Sequence, residues 1–140
     1  MNPIFKNITA IIVGLIGGSV VNMLLIMVGP NVIPPPEGSD PTTMESLAES
    51  MHLFQPRHFI FPFLAHALGS LSGAIIAVLI AANRKMMLAL VVGFFFLGGG
   101  IMNVFLLPSP VWFNVVDLVL AYIPMAWLGA KLTMRKRENA

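Results

Sequence analysis

Four long apolar runs, separated by short polar or proline-rich breaks, dominate the chain at about residues 8–28, 58–82, 86–107 and 111–132. Each is about 21 to 25 residues long, against the roughly 20 that a helix rising 1.5 Å per residue needs to cross about 30 Å of hydrocarbon. The pattern predicts an all-α membrane protein: four transmembrane helices in a compact bundle, forming one domain. The second run is the expected centre of that bundle, because Ala65, Gly69 and Gly73 recur at four-residue spacing and His66, Ser70 and Ala74 do so one position on. Its small side can face protein while Phe, Leu, Ile and Val face lipid.

Between the first two runs, residues 30–56 form the only long polar segment. Pro34-Pro35-Pro36 is stiff and extended, and Glu37-Gly38-Ser39-Asp40 has the composition of a turn. Asp40 or Thr42 is then placed to cap a short helix over 42–54. Met44, Leu47, Ala48, Met51 and Phe54 share one face of it, and Glu45, Glu49, Ser50 and His52 fall away. This reads as an amphipathic helix at the membrane interface or across the ends of the spans.

Small residues mark the other expected contacts. Gly14 and Gly18, followed by Asn22, form a stripe on the first run, and Gly98-Gly99-Gly100 interrupts the third. The triplet costs roughly 0.8 to 1 kcal/mol per glycine relative to alanine, and close packing on a neighbouring helix is the expected compensation. Pro62 predicts a modest kink near His58. Pro124 interrupts the fourth run and frees the Leu120 carbonyl, beside Tyr122, the only tyrosine.

Composition agrees with the pattern. Hydrophobic residues make up 57% of the 140 and charged residues 10%, whereas about a quarter of a soluble domain is charged. Cysteine is absent, which removes disulfides and thiol chemistry. Charge sets orientation: Lys6, Arg84, Lys85, Lys131, Arg135, Lys136 and Arg137 all fall on one side of a four-span threading, leaving Arg57 alone on the other. By the positive-inside rule both termini are cytoplasmic, with a soluble basic tail over 133–140 and an acidic outer loop. A bacterial inner membrane is the expected location. The net charge of +2 comes from these edges, and no nucleic-acid partner is expected.

Candidate chemistry follows from depth. Asn22 lies roughly 9 Å below the outer end of its span, His66 about 12 Å, Asn103 about 6 Å and Asp117 about 10 Å. Ionisable groups there are expensive and turn toward the bundle interior, so His66 and Asp117 are expected to face one another. His66, Asp117, Asn22, Asn103 and Ser70 thus form a candidate polar cluster. It serves either as interhelical glue or as a cavity open to the outer face for a ligand or proton. His58 and His66 are eight residues apart and roughly 80° out of register on a helix, so no metal site is expected, and the ten methionines are scattered. No nucleophile, phosphate-loop or paired-carboxylate motif appears, so neither catalysis nor a cofactor is expected. Gly14, Gly18, Gly69, Gly73, Gly98, Gly99 and Gly100 are the expected helix-packing positions. They favour an accessory subunit of a membrane assembly, bound to the bilayer and to another subunit or copy, over the alternative of a small transporter or channel.

Overall fold

A computed structural model describes all residues 1–140. The chain is all-helical: α1 (Pro3–Val32), α2 (Met44–Ser50), α3 (Ile60–Ile80), α4 (Lys85–Leu106), α5 (Val111–Leu120) and α6 (Ile123–Glu138). Single 3₁₀ turns, Met51–Leu53 and Pro56–Phe59, follow α2 and precede α3. Four helical stretches are long and apolar enough to cross a membrane: Pro3–Val32, Pro56–Ile80, Lys85–Leu106 and Val111–Glu138.

Local chemistry fixes the ends. Asn2 Oδ1 accepts from the Ile4 N–H and Pro3 occupies the first helical turn, where its missing N–H costs nothing. This cap starts α1 several residues before the apolar run begins. Pro30 falls in the last turn without ending the helix, and the Ile33 N–H closes on the Gly29 carbonyl. A 3₁₀ turn, Pro56–Phe59, with Pro56 at its start, stands where the kink near His58 is expected, and α3 begins after it with Pro62 in its first turn. Between α3 and α4, Arg84 takes a left-handed conformation (φ 48°) in a turn clamped by Asn7. The Asn7 carbonyl oxygen accepts from the Ala82 N–H at 3.0 Å, and its amide donates to Asn83 at 2.8 Å.

Three expectations are corrected. The fourth span is two helices: α5 ends at Leu120, and α6 restarts at Ile123 with Pro124 in its first turn. The basic tail continues α6 as helix to Glu138. The cap of α2 is Thr43, whose Oγ1 accepts from the Ser46 N–H at 3.1 Å, while Asp40 instead turns the preceding loop by accepting from the Thr42 hydroxyl and N–H. Those bonds hold the Asp40 carboxyl below the usual carboxylate range.

Helix α3 is the centre, packed against α1, α4 and α6, and it is the most buried of the four stretches. Antiparallel α1 meets it backbone to backbone. A methyl built on Gly18 would stand 2.5 Å from the Gly69 carbonyl oxygen, and one built on Gly73 would stand 2.8 Å from that of Gly14. Only glycine permits this approach, so the α1–α3 contact depends on these four positions. On the other side of α3, Ala74 and Val78 form a small-residue core with Ala89 of α4 and Ala126 and Ala130 of α6.

The glycine triplet divides. Gly100 is buried, and a methyl there would collide with the Tyr122 ring. Gly98 and Gly99 are exposed with nothing within 4 Å of a methyl, so they pack against no helix of this chain. A helix has about 3.6 residues per turn, so three consecutive positions cannot all face one neighbour.

Candidate functional site

The break in the fourth stretch builds the site. On an uninterrupted helix, residues five apart are about 140° out of line. Ala121 and Tyr122 leave the helical path, with Tyr122 at φ −112°, ψ −79°. The Tyr122 hydroxyl thereby turns back to donate to Asp117 Oδ2 at 2.8 Å. Asp117 Oδ1 pairs with His66 Nδ1, also at 2.8 Å. The imidazole and phenol rings stack with centroids 5.6 Å apart at 28°. Asp117 is 4% exposed and Tyr122 2%, and both carboxylate oxygens are engaged, as a buried carboxylate requires.

His66 and Asp117 border a cavity of about 300 Å³, with Tyr122 buried behind them. Its polar lining comes from His58, His66, Asp117, Asn22, Asn103, Asn114 and Ser109, on α1, α3, α4, α5, the α4–α5 loop and the 3₁₀ turn before α3. Asn22 and Asn103 have no side-chain hydrogen bond within the protein, and neither does His66 Nε2. They are amphipathic pocket groups with free valences. The roof is α2 and its 3₁₀ extension, which present Met44, Leu47, Met51 and Phe54 to the cavity. Leu47, Met51 and Phe54 also pack with Phe59 and Phe113, which anchors the roof to the 3₁₀ turn before α3 and to α5.

The expected cluster is therefore assembled in part. His66 and Asp117 meet directly, and Asn22 and Asn103 border the same cavity. Ser70 does not: it is fully buried one turn further along α3, and its hydroxyl has no partner. Tyr122 completes the site and was visible in sequence only as a lone tyrosine next to Pro124. Asn114 was hidden by its place in the first turn of α5, where it reads as an interfacial residue.

With Nδ1–H donating to Asp117, neutral His66 offers Nε2 to the cavity as an acceptor; protonated, it offers Nε2–H as a donor. Tyr122 meanwhile keeps the carboxylate in place. No group of three or more His, Cys, Asp or Glu side chains is arranged to hold a metal. Compared with family models, curated proteins and solved structures, the chain has no match.

Proposed function

We propose that this chain is a four-span membrane protein, with both termini cytoplasmic, that takes a small solute from the outer face into the cavity above His66. The observation that carries this reading is the joining of a protein-lined cavity to the His66–Asp117–Tyr122 triad. A packing subunit needs no such space, and unpaired amides in an apolar bundle are costly unless something occupies them. The solute class is a small, largely apolar molecule carrying at least one hydrogen-bonding group. Its binding is linked to proton exchange at His66 Nε2, and the inner half of the bundle, closed by alanine packing, is the barrier to be opened in transport. A bacterial inner membrane fits the charge pattern.

The test is proteoliposomes loaded with a pH-sensitive dye and challenged with a panel of small amides, alcohols and amines. A substrate moves protons through the wild type but not through His66→Ala or Asp117→Asn variants of unchanged helicity. Variants that move solute and protons as the wild type does would overturn the proposal.

A second reading has its own support. Gly98 and Gly99 leave the α4 backbone uncovered beside exposed Phe94, Phe95 and Met102, a surface on which a helix of a second copy or another subunit can lie. Cross-linking through a cysteine at position 98 in native membranes tests it, and monomer alone contradicts it.

A further inference from the structure

A second cavity, of about 230 Å³, lies at the outer ends of α1 and α3. Its walls are apolar: Ile26 of α1, Ile33, Pro35 and Pro41 of the following loop, Leu47 of α2 and Phe61 of α3. Two polar residues border it, Arg57 and His58. Arg57 is the one basic residue at the outer end and is exposed. The same end carries Glu37, Asp40, Glu45 and Glu49, yet none of them pairs with it, since His66–Asp117 is the only ion pair in the chain. His58 adds an independent observation. It is 8% exposed, and its Nδ1 accepts from the Gln55 N–H at 2.8 Å, so the ring proton sits on Nε2. That Nε2–H is buried with no acceptor. An unpaired guanidinium and an orphan imidazole donor on consecutive residues, beside an apolar slot, are complementary to an oxyanion attached to a hydrocarbon chain. Arg57 stands at the end of an apolar stretch, the level at which lipid phosphates lie.

We propose that this cavity holds one acyl chain of an acidic phospholipid, with the lipid phosphate on the Arg57 guanidinium and, once the side chains that seal it part, on the His58 Nε2–H. The inference rests on the membrane placement above; Leu47, Phe54 and His58 wall both this cavity and the one over His66. Bound lipid adds apolar contacts to Leu47 and so seats the roof helix.

The experiment is native mass spectrometry of the full chain released from detergent after incubation with phosphatidylglycerol, phosphatidylcholine of the same chains, a long-chain fatty acid or inorganic phosphate. One phosphatidylglycerol per chain is expected, retained about tenfold over phosphatidylcholine, which offers the same phosphate but sets its choline cation against the Arg57 guanidinium. Arg57→Gln abolishes the preference, whereas Arg84→Gln, at the other end of α3, leaves it. His58→Asn keeps an acceptor for the Gln55 N–H but lacks Nε2–H, and weakens retention severalfold at an unchanged melting temperature. Equal retention of the two phospholipids, a preference that survives Arg57→Gln, or retention of the fatty acid or inorganic phosphate in place of phospholipid would each overturn the proposal. Solute movement is read separately, by the proteoliposome assay with His66 and Asp117 variants, so the two proposals fail separately.

Discussion

Tyr122 follows Asp117 by five residues, yet its hydroxyl meets the Asp117 carboxylate at 2.8 Å because the helix breaks between them. The carboxylate is thus held by a phenol on its own chain segment and an imidazole from α3. Removing the phenol hydroxyl in Tyr122→Phe leaves Asp117 Oδ2 without its donor, at an expected cost of about 1–3 kcal/mol. His66→Ala and Asp117→Asn are expected to be non-additive, with a coupling of about 0.5–3 kcal/mol for groups in one hydrogen-bonded network. Thermal unfolding in detergent reads both, and additive losses would mean the three groups act separately.

The glycines offer a contrast within one sequence class. Gly18→Ala forces a methyl against the Gly69 carbonyl and Phe96, with an expected destabilisation of about 1–3 kcal/mol from overpacking. Gly98→Ala meets open space and is expected to be neutral or to add up to about 1 kcal/mol through helix propensity. Melting temperatures of the two variants, measured in the same detergent, check the difference.

The roof helix depends on its cap. Thr43→Ala removes the acceptor for the Ser46 N–H, at an expected local cost of about 0.5–2 kcal/mol. Hydrogen exchange is expected to quicken over residues 44–50 with α3 and α4 unchanged. The Asp40 turn ahead of it has its carboxyl held below the usual range. Its contribution is therefore complete above the ordinary value of 3.8 and is lost as pH falls through the lower folded value. Roof protection, exchange taken relative to its intrinsic base-catalysed rate, should accordingly be independent of pH between about 5 and 8 from this source.

Orientation is tested in the cysteine-free chain by single cysteines at positions 45, 84 and 137. An impermeant thiol reagent added to intact cells is expected to label 45 alone. Labelling of 84 with 45 untouched reverses the threading.

Much of this architecture is legible in the sequence because lipid leaves few alternatives. A long apolar run must be helical to satisfy its backbone, and a buried ionisable group must find a partner. His66 and Asp117 could be paired for that reason, from their cost in lipid, their similar depth and the place of His66 on the small-residue side of its helix. Small residues are less informative, since glycine lowers the cost of contact without saying which face is contacted; Gly14, Gly18, Gly69 and Gly73 pack, while Gly98 and Gly99 do not. The break at Ala121–Tyr122 was signalled by Pro124 only as a lost hydrogen bond. Its consequence, the turning of Tyr122 onto Asp117, depends on where α3 and α4 leave room, and Gly100 supplies that room across the bundle.

The central claim is that a cavity open to the outer face reaches the His66–Asp117 pair. Its most direct test is the labelling of Asn103→Cys in intact cells by a membrane-impermeant thiol reagent, beside Gly98→Cys and Ser70→Cys. Position 103 borders the cavity, 98 faces outward from the bundle, and 70 is sealed. The account predicts modification at 103 alone. An unreactive cysteine at 103, or equal modification at all three positions, would contradict it.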